Sequence, residues 1–165
     1  MGKRKDNRGK RRKGIWVLGI ISEEERGRVV LKSIEGRDID SIIPIILKHV
    51  APGTTIKTDC LATYHCLQYL PSHPALAKYK HVTVNHSKEL VCAYTGININ
   101  LIEGTWPHFK RSLPSGGLHS DKTCYAGYLY QFAYQRLVGY QYPGADPFLV
   151  FLRHWGELIA SGGNK

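Results

Sequence analysis

Two runs of β-forming residues, 15–21 and 28–34, stand on either side of the short charged segment 22–27. Their aliphatic and β-branched side chains, with turn-forming residues between them, predict an antiparallel hairpin. The next segment excludes an all-β fold. Ile42, Ile43, Ile46, Leu47 and Val50 recur at helical spacing, Asp40 or Ser41 can cap that helix, and Pro52-Gly53 stops it. Residues 54–58 then read as a strand delivering Asp59 at its carboxyl end, where open α/β sheets place their ligands.

The alternation continues downstream. Residues 60–70 suit a helix, Pro71 and Pro74 interrupt it, 81–84 alternate as a short strand, and 85–96 read as loop. A helix is expected to begin near Asn100. Another runs from about Cys124 to Tyr140, with Tyr125, Leu129, Phe132 and Arg136 along one side. Residues 147–152 read as a last helix packed over the core, and 161–165 as a fraying tail. The fold class is therefore mixed α/β.

At 165 residues the chain suits one domain with a substantial core. Hydrophobic residues make up 42%, which excludes a disordered polypeptide, while the net charge of +10 points to a polyanionic partner, nucleic acid first. Most of that excess lies at the start. Lys3, Arg4, Lys5, Arg8, Lys10, Arg11, Arg12 and Lys13 stand against the single acid Asp6. Such a run cannot bury apolar surface. It reads as a phosphate-contacting arm or a nuclear-import signal, or else as a solvated leader with no dedicated partner; as an arm it would add affinity and not base specificity.

Cys60, Cys66, Cys92 and Cys124 show no CxxC spacing, so neither a zinc ribbon nor a disulfide framework is supported, and a reducing compartment is the default. The apolar stretches are far shorter than the ~20 residues of a membrane span, and no signal peptide follows the basic start. A soluble protein is expected, with no membrane partner and no small-molecule substrate.

Two carboxylates stand out. Asp59 closes a β-like run, and Glu103 lies on a helix-like segment seven residues before Lys110. Breaking or joining a DNA backbone uses hard cations to activate the attacking oxygen and hold the leaving one. Magnesium takes oxygen donors and is held by only one or two carboxylates plus substrate phosphates. At 3.6 residues per turn Glu103 and Lys110 face the same way, the acid toward metal and the lysine toward a phosphate. Pro107 lies between them and is expected to kink the helix unless it falls in the first turn.

In order along the chain, KRKDNRGKRRKGIWVLGI from Lys3, APGTTIKTDCLATY from Ala51, HVTVNHSKEL from His81 and TGININLIEGTWPHFKRSL from Thr95 together resemble the transposase domain of bacterial insertion sequences and of the related eukaryotic Merlin elements. The likeness covers nearly the whole chain. It implies an integrase-type, RNase H-like mixed sheet flanked by helices, and a DDE-type enzyme that cuts DNA and transfers its 3′ end with two Mg2+ (or Mn2+) ions.

By motif, Asp59 matches the family's second acid and Glu103 its third, both as metal ligands. Lys110 matches the basic residue that follows, and Asn100 the asparagine that precedes the glutamate. Lys110 and Arg111 join the leader as DNA contacts. Asn85 and His86 match a Val-Asn-His-Ser segment of unassigned role. The resemblance also implies a possible homo-oligomer, and a nuclear protein in a eukaryote or a cytoplasmic one otherwise.

The pattern departs at its first acid, which in the family lies on an opening strand just before the basic segment. Asp6, Asp38 and Asp40 do not replace it. The expected organisation is a basic flexible leader over 1–13, a transposase domain lacking its first strand over 14–160, and a disordered tail over 161–165. Loss of one ligand from a two-metal site removes most activity. The reading is therefore a transposase-type domain that is truncated or catalytically incomplete, or alternatively a transposase-derived non-catalytic DNA-binding protein.

Each singled-out residue has a plainer reading. An aspartate after a strand is often a turn former or helix cap, and Glu103 can be a surface acid on a helix half-buried through Trp106 and Phe109. Cys60, His65 and Cys66 are read as ordinary packing or surface residues. Tyr125, Tyr128, Tyr130, Tyr134, Tyr140 and Tyr142 could stack on unpaired bases but are read as packing.

Overall fold

The computed structural model describes residues 14–25, 27–71, 76–84, 99–114 and 122–162. Its strands are β1 (Trp16–Ile21), β2 (Val29–Ile34), β3 (Thr55–Thr58) and β4 (Lys80–Thr83). Helix α1 (Ile39–His49) and a 3-10 helix (Ala62–Tyr69) lie among the strands, and α2 (Asn100–Ser112), α3 (Lys122–Gln141) and α4 (Pro147–Gly162) follow. The mixed α/β class is as expected, with one difference. Among the described residues the strands form two separate two-stranded sheets, β1 with β2 and β3 with β4, and not one mixed sheet.

The hairpin forms in the expected place. Its register pairs Trp16 with Ile34, Leu18 with Lys32 and Ile20 with Val30 in one alternate set, and Val17 with Ser33, Gly19 with Leu31 and Ile21 with Val29 in the other. Because side chains alternate across a strand, these sets face opposite ways and both find apolar cover. Leu18 and Ile20 pack with Ile42, Ile43 and Ile46 of α1. Val29, Leu31, Val17 and Ile21 pack with Phe109 of α2 and with Tyr125, Leu129 and Phe132 of α3. Phe109 meets the rings of Tyr125 and Phe132 edge-on, with centroids 6.2 and 5.3 Å away. The hairpin is thus the middle layer between α1 and the pair α2, α3.

Strands β3 and β4 run parallel, Thr55 opposite Lys80 and Thr58 opposite Thr83. Ile56 of β3 joins the same core cluster as α1 and Leu18, so α1 covers both small sheets. At the surface, Lys57 of β3 bonds both carboxylate oxygens of Glu23, in the hairpin turn, at 2.6 Å.

Several local expectations need correction. Helix α1 is capped by Asp38, not Asp40 or Ser41: the Asp38 carboxylate accepts the Ser41 N–H at 2.9 Å and the Ser41 hydroxyl at 3.1 Å. These bonds hold the Asp38 carboxyl below its usual range, the Ser41 N–H first. Residues 62–69 form a 3-10 helix, the tighter form used for short pieces. The last helix is longer than expected, and only Val150 is buried on it. It leans on α3 and leaves most of its apolar surface outside the core.

Candidate active site

Asp59 stands where the strand pattern placed it, one residue beyond β3 and just before the 3-10 helix. One carboxylate oxygen accepts the Leu61 N–H at 3.2 Å, an Asx-type turn into that helix. The other lies 3.5 Å from the Arg37 guanidinium, with both side chains nearly half exposed. The turn-forming role is therefore real, and it leaves carboxylate surface open to solvent.

The neighbours of Asp59 form a small polar cluster that the sequence did not single out. Arg37 also stacks over the Trp16 ring, 5.3 Å from its centroid, and so connects β1 with the end of β3. The Tyr64 hydroxyl is pushed above its ordinary pKa first by burial and then by the negative charge of Asp59, while Arg37 acts the other way. Thr58 donates its hydroxyl proton to the Asp59 carbonyl at 2.7 Å. That commits the hydroxyl proton, so the His81 Nε2, 2.9 Å away, is the donor in their contact. Burial, and then the neighbouring His65, lower the His81 pKa. Arg37 lies in a turn remote from Asp59 in sequence, and no local pattern marks the pair.

Glu103 lies in the first turn of α2, which begins at Asn100 as expected. The helix is continuous from Asn100 to Ser112 with Pro107 inside it. Residue 107 is the one whose N–H would bond the Glu103 carbonyl, and proline has none. Glu103, Lys110 and Arg111 are all exposed, and Lys110 and Arg111 occupy the last turn, where positive charge suits the helix dipole. The Arg111 guanidinium rests on the Pro107 carbonyl at 3.3 Å and the His108 ring at 3.1 Å.

The opposite face of α2 is fixed to β1. A Cβ built on Gly19 would come within 2.7 Å of the Trp106 ring and 2.8 Å of Ile102, so the absence of a side chain at residue 19 sets how close the acid-bearing helix lies to the hairpin. Thr105 is fully buried and satisfies its hydroxyl on the Leu101 carbonyl at 2.8 Å.

The structure thus gathers Asn100, Glu103, Lys110 and Arg111 on one helix and sets Asp59 at a strand end. The eight basic leader residues Lys3 to Lys13, together with Asn85 and His86, lie outside the described residues. Cys60 is an exposed thiol, and the Cys66 thiol donates to the Thr63 carbonyl. Of the tyrosines, Tyr125 is buried in the core cluster and Tyr134 and Tyr142 contact His154, whereas Tyr130 and Tyr140 are exposed.

Asp59 and Glu103 are hard oxygen donors of the kind magnesium takes, and one or two carboxylates suffice for one ion when water and phosphate complete its shell. Among the described residues no group of three or more acidic, histidine or cysteine side chains is placed to hold a metal. No helix among them is long and apolar enough to cross a membrane. A family model, the ISXO2-like transposase domain, matches residues 1–136. No curated protein and no solved structure matches the chain.

Proposed function

From the premise that this chain belongs to the ISXO2-like family of DDE transposase domains, we propose that it is a DNA-binding domain of RNase H-like build. In this reading Asp59 and Glu103 are the second and third acids of the transposition site, and this polypeptide is catalytically incomplete. The observation that carries it is the placement of the two acids. One follows the carboxyl end of β3, and the other is in the first turn of a helix seated on β1 through Gly19.

The RNase H-like reading draws support from the two small sheets. They share the cover of α1, and both Lys57 with Glu23 and Arg37 with Trp16 and Asp59 tie them together. A strand placed between β1 and β3 would join them into one mixed sheet. The domain would extend from residue 14 through α4, with 1–13 as a basic leader.

Asp59 and Glu103 would hold the Mg2+ or Mn2+ ions, which when bound activate water and offset charge on the phosphodiester. Lys110 and Arg111 would hold the DNA backbone near them, as would Lys3, Arg4, Lys5, Arg8, Lys10, Arg11, Arg12 and Lys13. Asn100 would position the start of the helix next to Glu103. Catalytic incompleteness is supported by the lack of a counterpart, among the described residues, to the family's first acid. Asp38 is committed to capping α1, Asp40 sits in the first turn of the same helix, and the described residues offer no three-acid group.

The test is magnesium-dependent nicking of labelled DNA by the 165-residue chain, beside Asp59→Ala and Glu103→Ala. Salt-sensitive DNA binding without nicking is expected. Robust nicking abolished by both substitutions would overturn the incompleteness, and absence of DNA binding would overturn the function.

A further inference from the structure

Helix α4 carries an apolar surface that the described residues leave largely open, only Phe151 on it meeting a ring from outside the helix, that of Tyr134 edge-on at 6.0 Å. Phe148, Leu149, Phe151, Leu152, Trp155, Leu158 and Ile159 are each between 43 and 64% exposed. At 3.6 residues per turn, 148, 151, 152, 155, 158 and 159 fall on one broad face. The other face is occupied. Val150 is buried, His154 contacts the Tyr134 and Tyr142 hydroxyls at 3.0 and 3.4 Å, and Arg153 lies over the Tyr142 ring. These contacts fix which way α4 turns, so the outward side is a defined surface. Phe151 stacks on Trp155 with centroids 6.1 Å apart and already forms a flat aromatic patch.

We propose that this face pairs two copies of the chain, α4 against α4 antiparallel, about a two-fold axis passing near Trp155. Three observations select a second copy as the occupant. The stripe is symmetric about Trp155: Leu152 and Leu158 lie three residues to either side, and Phe151 and Ile159 four. An antiparallel pairing therefore lays the stripe onto itself, which is what an isologous interface requires.

The area is also sufficient. The six residues of that face expose roughly 650 Å² per copy, approaching the ~800 Å² per partner of a standard protein interface. Finally, the outward face is uncharged. A chain of net charge +10 repels its own copies, and the only ionised residues of α4, Arg153 and Glu157, project from the other side of the helix. The same lack of basic residues disfavours an anionic lipid surface, for which an interfacial helix carries Lys and Arg on its polar face. The helix lies wholly beyond the residues that the family model matches.

Sedimentation equilibrium of the full chain should show a dimer. Trp155→Glu and Leu158→Glu, both at exposed positions, should each weaken it on the order of 30-fold or more while leaving the circular dichroism unchanged. In a background with Cys60, Cys66, Cys92 and Cys124 changed to Ser, Trp155→Cys should add under mild oxidation a covalent dimer absent from that background. Phe148→Cys should not, because antiparallel pairing separates its two copies by about 20 Å. A chain that stays monomeric at high concentration overturns the proposal, as does a dimer indifferent to both glutamate substitutions. Equal crosslinking at 148 and 155 overturns the antiparallel arrangement. A monomer that binds neutral phosphatidylcholine vesicles through Trp155 assigns the face to lipid, and overturns the proposal equally.

Discussion

The Arg37 guanidinium lies 3.5 Å from the Asp59 carboxylate and over the ring of Trp16. The side chain that neutralises the candidate metal ligand is thus the same one that connects β1 with the end of β3. A cation bound at Asp59 would meet Arg37 as a competitor.

Replacing Arg37 by Gln should therefore tighten Mn2+ binding at Asp59 by about threefold, the scale expected for an exposed ion pair, with a stability change under ~1 kcal/mol. Titration followed by manganese electron paramagnetic resonance reads the first, and urea denaturation the second. Weaker binding in the variant would show that Arg37 supports the ion instead of competing with it. Asp59→Asn in the same assay should abolish the difference.

A side chain at residue 19 should push α2 off the hairpin. Gly19→Val places carbon where the Trp106 ring and Ile102 stand within 3 Å, and overpacking of this kind costs about 1–3 kcal/mol. The expected result is a lower urea midpoint, with altered Trp106 fluorescence before unfolding. An unchanged midpoint would mean that the α2 contact adapts freely and does not fix Glu103.

Acid should weaken the fold through His81. Its pKa is lowered in the folded state by burial and then by His65, so the folded chain favours the neutral ring. The resulting stability is fully present above the unfolded value of about 6.5 and is lost as pH falls through the lower folded value. Urea midpoints should decline below pH ~6.5, and His81→Gln should flatten that decline. The slope left over is assigned to His49, which is lowered mainly by its own burial. A decline of equal steepness in the variant would remove His81 from the account.

Neutralising the eight basic residues of the leader should lower DNA affinity and reduce the slope of log K against log salt by about 3 or more, since each released phosphate counterion contributes ~0.9. Fluorescence anisotropy across ~50 to ~200 mM salt measures it. A variant with the parent slope would return the leader to a solvated segment with no phosphate contacts.

What the sequence revealed and concealed follows the range of the forces involved. The hairpin, α1, β3 and the start of α2 at Asn100 were legible because strand and helix periodicities are local. The capping of α1 was misjudged because Asp38, Asp40 and Ser41 all suit an N-cap, and only the path of the entering chain selects Asp38. Residues 62–69 carry a helical composition that does not distinguish a 3-10 from an α-helix. The Arg37 contact with Asp59 and the fit of Trp106 over Gly19 were hidden, since each joins segments that meet only through the fold. The outward face of α4 was misread as core because its apolar pattern identifies a surface to be covered without saying by what.

Pro107 leaves the backbone of α2 one rung short between its acidic and basic ends. Glu103 sits above the missing rung, and Lys110 and Arg111 below it. Packing makes up for the lost bond on both sides of the gap: Trp106 rests on the hairpin above it, and Phe109 is buried against the hairpin and α3 below it. The spacing of the acidic and basic ends of α2 is therefore set by side chains in the core and not by an unbroken backbone ladder.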